Sequence, residues 1–202
     1  MKWIHLALAA SSLAATAAWG EEAWSNTQVQ RAVHVCASCH GEGGRSSAAV
    51  FPSLAGQMPQ YVAAQLRDFR GQVRAEIDPQ AYMWGVSALL DDATIDGLAD
   101  YYASQQPAAG RPGNPRLVAA GRKIYDDGIP ARGVRACASC HGANAEGASV
   151  FPRLAGQHAD YAYRQLKGFG TRLRPHGILM RNETANMTDA ELRAVAEYVQ
   201  SR

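Results

Sequence analysis

Cys36-Ala37-Ser38-Cys39-His40-Gly41 and Cys137-Ala138-Ser139-Cys140-His141-Gly142 are one hexapeptide written twice. The pattern C-x-x-C-H is the attachment signature of a c-type haem. Two thiols add to the porphyrin vinyl groups as thioethers, and the two-residue spacer matches their separation. The next residue, His, then points its imidazole at the iron from the same side. The four thiols also allow a zinc site made of four cysteines, but each pair is followed at once by His and lies in its own repeat unit. A redox dithiol calls for a strand–helix context, which is absent here. All four cysteines fall in the two motifs, leaving none for a structural disulfide. Cys36, Cys39, Cys137 and Cys140 are the expected covalent anchors of two haem c groups. His40 and His141 are the expected axial ligands.

The motifs head an internal repeat. Val50-Phe51-Pro52-Ser53-Leu54-Ala55-Gly56-Gln57 matches Val150-Phe151-Pro152-Arg153-Leu154-Ala155-Gly156-Gln157. Tyr61, Gln65, Leu66 and Phe69 match Tyr161, Gln165, Leu166 and Phe169, and the stretch from Asp92 to Tyr101 matches that from Asp189 to Tyr198. Two tandem copies indicate a duplicated domain; a solenoid needs more repeats to bury its core. Between the units, residues 106–115 hold three prolines and two glycines. Such a stretch forms neither helix nor central strand and reads as a semi-rigid linker. The expected division is 21–105, a linker at 106–115, and 116–202.

Each unit reads as helical. Residues 24–35 lead into the first motif as a helix. Asn114 caps a helix with Pro115 at its first position, running to about Asp127 and stopped by Gly128. Pro59 opens a helix through about Arg70, and its counterpart spans roughly Ala159 to Lys167. Thr188-Asp189-Ala190-Glu191 fits a capping box, with Leu192, Val195, Ala196 and Val199 as an apolar stripe behind it. Asp91 starts the equivalent helix, with Ile95, Leu98 and Tyr102 on one face. No alternating strand pattern stands out, so the expected class is all-α.

The chain begins with Met1-Lys2-Trp3 and an apolar run from Ile4 to Ala18, ahead of Glu21-Glu22. That reads as a secretory signal peptide over residues 1–20, cleaved between Ala17 and Gly20. An uncleaved anchor is the alternative, but the run is shorter than the roughly 20 residues a spanning helix needs. The expected location is the periplasm. The net charge of +2 hides an asymmetry. Residues 21–106 carry 5 Arg against 10 Asp or Glu, and residues 107–202 carry 14 Lys or Arg against 8 Asp or Glu. Such a dipole can orient a carrier towards its partner, though drift in surface charge produces one too. The arginines are dispersed, which speaks against nucleic acid as a partner.

The opposite side of each iron needs a ligand. Met83 and Met180 each stand nine residues before the acidic residue that opens the last helix, Asp92 and Asp189. Methionine ligation raises the reduction potential, and both are expected axial ligands. Met187 occupies the place of Leu90 and reads as core. Met58 and His158 align with each other but differ in type, so both read as surface or loop residues. His176 is a rival to Met180 without a counterpart in the first unit. His34 reads as structural.

Tandem C-x-x-C-H units, each followed by F-P-x-L-A-G-Q and a late Met, resemble cytochrome c4, a dihaem member of the class I cytochromes c. The resemblance covers essentially the whole chain after residue 20. It implies two tandem class I cytochrome c domains with their haems facing across the domain interface. It implies that Pro52 and Pro152 offer their carbonyls to the second imidazole nitrogen of His40 and His141. It also implies that the first and last helices of each domain cross, with Gly121 against Tyr198; the first unit has no obvious equivalent glycine. The function expected is that of a periplasmic one-electron carrier from a quinol–cytochrome c oxidoreductase to a terminal oxidase. It is not an enzyme on this reading, and peripheral membrane association stays open. Two alternatives remain. One is an electron-transfer subunit of a sulfide- or alcohol-oxidising dehydrogenase. The other is a dihaem enzyme, such as a peroxidase or a thiosulfate-oxidising cytochrome, with one labile axial ligand.

Overall fold

The computed structural model describes residues 26–202; the expected leader, residues 1–20, lies outside them. The first unit contains α1 (Thr27–His40), α2 (Pro59–Arg70), α3 (Trp84–Ser87) and α4 (Asp92–Ser104). The second contains α5 (Pro115–Asp127), α6 (Ala138–His141), α7 (Ala159–Phe169), α8 (Ile178–Thr184) and α9 (Asp189–Gln200). Among the described residues there is no strand, only the isolated bridges Ile129–Val134 and Ala148–Phe151.

The helix ends follow from local chemistry. The Asn26 side chain accepts from Gln28 N–H, Asp91 accepts from Thr94 N–H, and Asn114 accepts from Arg116 and Leu117 N–H. Each satisfies donors that a helix start leaves unpaired. Thr188 and Glu191 complete a reciprocal capping box on α9, with Glu191 accepting from Thr188 N–H at 2.8 Å.

The two units enter their motifs differently. The expected helix over 24–35 instead begins at Thr27 and continues through the whole C-A-S-C-H motif to His40. In the second unit α5 stops at Gly128, whose φ of 69° favours glycine, and the motif occupies the separate short α6. The loop between them is pinned by Ile129 N–H on Val134 C=O at 2.8 Å. Both routes deliver the His to the same kind of place.

Each unit packs around its last helix. In the first, Val29, Val33, Val62, Ala63, Ile95, Leu98, Ala99 and Tyr102 form one buried cluster. In the second, Tyr125, Ala145, Val195, Tyr198 and Val199 do so, with Met187 packed against them. Gly121 lets α5 lie directly on α9. A Cβ there would collide with the Ala194 carbonyl and press on Tyr198. In the first unit the small residue is on the other helix: Gly97 of α4 is buried and stands where Ala194 does in the repeat. Units this small bury limited surface by themselves.

The units join face to face with approximate two-fold symmetry. Gln57 accepts from Arg153 N–H at 2.7 Å and donates to Arg153 C=O at 3.0 Å. Gln157 repeats this on Ser53, at 2.9 Å for both bonds. Residues 106–114 hold no helix and lie against the protein, with Arg111 N–H on Gln200 C=O at 2.9 Å. Side chains of the two halves meet at this boundary: Arg164 pairs with Asp78 at 3.0 Å, and His176 Nδ1 lies 2.8 Å from Asp68 Oδ1.

His158 does not sit at the surface as its sequence context suggests. It is 2% exposed, its Nε2 lies 3.0 Å from Ser46 C=O in the first unit, and its Nδ1 meets the Arg111 guanidinium. The lack of a matching residue in the repeat reflects a contact that only one side of the interface makes. His34, read as structural, is exposed on α1.

Candidate functional site

One cleft runs across both units, and its walls are overwhelmingly apolar. Cys36, Cys39, His40, Met83, His141 and Met180 line it, together with Leu54, Leu66, Leu98, Leu154, Val195 and Val199. Every residue that the repeat singles out as a candidate ligand thus reaches one cleft, apart from the second thiol pair. Cys137 packs against the second core instead, and Cys140 is half-buried.

The two imidazoles are held alike. His40 is 7% exposed and His141 is 5% exposed. His40 Nδ1 lies 2.9 Å from Pro52 C=O, and His141 Nδ1 lies 2.9 Å from Pro152 C=O. A carbonyl only accepts, so Nδ1 carries the proton and the Nε2 lone pair is free. Phe51 and Phe151 meet the two rings edge-on, with centroids 6.1 and 6.2 Å away. Phe, Pro and Gln of F-P-x-L-A-G-Q therefore divide the labour. Phe bounds the imidazole, Pro orients it, and Gln holds the opposite unit. Burial pushes both imidazoles below their ordinary pKa, against the raising effect of the proline carbonyls.

The methionines arrive on equivalent turns. Met83 closes a wide turn, Pro79–Met83, in which Trp84 N–H reaches back to Pro79 C=O. Met180 lies in α8. Each Met carbonyl accepts a buried hydroxyl four residues on: Ser87 at 2.6 Å for Met83 and Thr184 at 2.9 Å for Met180. These hydroxyls escaped the sequence reading because Ser and Thr in a helix are seldom informative alone. Their equivalent places in the repeat were the available signal. His176 turns outward to Asp68, with its side chain 69% exposed.

A porphyrin fits this donor set. His141 Nε2 is buried with no partner, which is costly unless something else binds its lone pair. The walls suit a large apolar ring. The cysteines form no disulfide with one another. Among the described residues no three His, Cys, Asp or Glu side chains gather as a metal cage, so the four thiols do not assemble a zinc site.

Between the units lies a polar cluster that sequence reading did not assign. Arg74 and Arg174, 4% and 6% exposed, line the cleft beside Gln65, Gln165, Tyr61 and Tyr161. Tyr61, Gln65 and their partners were visible as matched positions, but nothing local marks them as interfacial.

A family model described as Cytochrome c matches residues 118–202. The chain is 41% identical to cytochrome c4 of Thiocapsa roseopersicina over 82% of this chain and 86% of the relative. It is 34% identical to a thiosulfate dehydrogenase electron acceptor of Stutzerimonas stutzeri (strain A1501), covering 98% of this chain and 95% of that one. The crystal structure of reduced recombinant cytochrome c4 from Pseudomonas stutzeri superposes with a TM-score of 0.78 at 32% identity, over 86% of this chain and 96% of that one.

Proposed function

This chain belongs to the cytochrome c4 family of dihaem electron-transfer proteins, and we propose that it shuttles single electrons in the periplasm from a quinol–cytochrome c oxidoreductase to a terminal oxidase. Each haem supplies, when bound, a ferric/ferrous couple that exchanges one electron. Cys36 and Cys39 hold one haem and Cys137 and Cys140 the other. His40 with Met83, and His141 with Met180, bind the two irons. Pro52 and Pro152 fix the imidazoles and strengthen them as donors.

The observation that carries this reading is the free Nε2 of each proline-anchored imidazole, with a methionine lining the same cleft. The two units, 21–105 and 116–202, then act as two stations joined by the 106–115 linker, and residues 1–20 direct export. Beside Met180, Ile178 and Leu179 are 59% and 58% exposed. Such apolar surfaces suit brief docking by redox proteins.

An optical redox titration of the purified protein tests the reading. Two haems per chain, each with a thioether–iron band in the near red when oxidised, support it. Prompt carbon monoxide binding at one reduced haem supports the dihaem enzyme instead. The similarity to a thiosulfate dehydrogenase electron acceptor favours one second reading, that of electron acceptor to a periplasmic dehydrogenase. Rapid reduction by such an enzyme, and slow reduction by a quinol–cytochrome c oxidoreductase, would select it.

A further inference from the structure

The two methionines reach the cleft on supports of different strength. The helix α8 carries Met180 but buries little of itself: of its seven residues only Thr184 is buried. Burial stabilises in proportion to the apolar area removed from water, so packing alone fixes α8 weakly. What holds it is the loop between α5 and the second C-A-S-C-H motif. Glu183, with its side chain 19% exposed, uses both carboxylate oxygens on Arg135. One accepts from the Arg135 backbone N–H at 2.8 Å and the other from Arg135 Nε at 2.7 Å. Just beyond α8, Arg132 Nη1 donates to the Asn186 carbonyl at 2.9 Å, and Asn186 Nδ2 donates back to the Arg132 carbonyl at 2.9 Å. Arg132 also pairs with Glu191 in the first turn of α9.

Arg135 stands two residues before Cys137, and Glu183 stands three residues after Met180. Residues three apart are neighbours on a helix surface. The contact therefore joins the segment that carries the second thiol pair to the turn that carries the second methionine. The Arg135 side chain is 61% exposed, so water screens the guanidinium's share. The bond from the backbone N–H is the firmer part, because the carboxylate that accepts it is largely out of water.

The first unit lacks this link. His34 stands two residues before Cys36 and Val86 three after Met83, and valine carries no charge to pair. The Met83 segment is tied elsewhere: Arg70 Nη1 donates to the Leu90 carbonyl at 2.7 Å and Trp84 Nε1 to the Arg74 carbonyl at 2.9 Å. Among the described residues, no hydrogen bond joins residues 79–90 to the first C-A-S-C-H motif. A thioether is a weak donor, so how firmly the protein presents it decides how readily another ligand takes its place.

We propose that Glu183, held by Arg135 and backed by the Arg132–Asn186 exchange, is a positioning residue that keeps Met180 on the second iron. Met83, without such a brace, is the more readily displaced of the two. This rests on the methionine-ligated dihaem reading given above.

Imidazole is the probe, titrated into the oxidised full-length holoprotein while the near-red thioether–iron band is followed. Met83→Ala leaves the Met180 band to be read alone, and Met180→Ala leaves the Met83 band. The half-displacing imidazole concentration should be about tenfold higher for Met180 than for Met83, the worth of one hydrogen bond to a charged group. Adding Glu183→Ala to the Met83→Ala chain should lower the Met180 value about tenfold. Adding it to the Met180→Ala chain should leave the Met83 value where it was. Glu183→Gln keeps an oxygen for the Arg135 N–H and should recover most of the loss. An unchanged Met180 value in Glu183→Ala, or an equal fall at both methionines, would overturn the brace. Absence of the near-red band from the unmutated chain would overturn the methionine reading instead. Should the Glu183 variants fail to load haem, the comparison of the two methionines decides alone: Met180 the firmer supports the brace, and Met180 equal or weaker sinks it.

Discussion

Gln157 grips Ser53 with both ends of its amide: Oε1 accepts the Ser53 N–H and Nε2 donates to the Ser53 carbonyl, each at 2.9 Å. Gln57 does the same to Arg153. The repeated motif thus reaches across to the other unit, while each Oε1 also accepts the N–H of the next residue in its own.

Removing one such grip leaves two backbone groups unpaired at the interface. Gln157→Ala should cost about 1–3 kcal/mol, from two bonds at roughly 0.5–1.5 kcal/mol each. Urea unfolding followed separately at each haem would read this. Coincident transitions in the parent chain that separate in the Gln57→Ala, Gln157→Ala double variant would show that the grip couples the units. Transitions that stay coincident would place the coupling elsewhere.

The methionine assignment makes a selective prediction. Met83→Ala and Met180→Ala should each remove about half of the near-red thioether band, while Met187→Ala and His176→Ala should leave it intact. Met187 packs in the second core, so its loss should appear as lower stability, on the order of 2 kcal/mol. A full band in Met180→Ala would reject that residue as a ligand.

Gly121 provides a steric test. Its missing Cβ is where the Ala194 carbonyl lies. Gly121→Ala should force α5 and α9 apart and cost about 1–3 kcal/mol, read as a lower thermal midpoint. Gly133 has nothing within 4 Å of an added Cβ, but its φ of 71° is left-handed. Gly133→Asn tolerates that conformation and should be nearly silent.

His158 predicts a pH dependence. Burial first, and then the Arg111 guanidinium, hold its pKa below the ordinary value. The stability associated with the neutral ring is therefore complete above the unfolded pKa of about 6.5. It falls as pH drops from there through the folded pKa, because the unfolded chain takes up a proton that the folded chain resists. His158→Gln, which cannot titrate, should flatten that part of the profile. Urea midpoints measured from about pH 8 to 5 would show it; an unchanged slope would assign the dependence to other groups.

Legibility in the sequence followed how local the chemistry was. Asn114, Pro115 and Gly128 announced α5 because caps and stops act within one turn of backbone. The same holds for Thr188 and Glu191 on α9. The run of α1 through the first motif was less legible, since Cys-Ala-Ser-Cys-His neither favours nor forbids a helix strongly. The burial of His158 was invisible, because Ser46 and Arg111 are remote in sequence and have no common pattern.

From the sequence alone came the duplication, the all-helical class, the two thiol-thiol-imidazole sets and the late methionines. These rest on spacing, which covalent attachment and helix periodicity make strict. Only the tertiary structure decided that the first set, the second imidazole and both methionines border one cleft. It alone turned Gln57 and Gln157 across the boundary and buried two arginines with a single glutamate between them. Such arrangements depend on which faces of two separately folded units meet, and pairing across some hundred residues leaves no mark on either partner's local sequence.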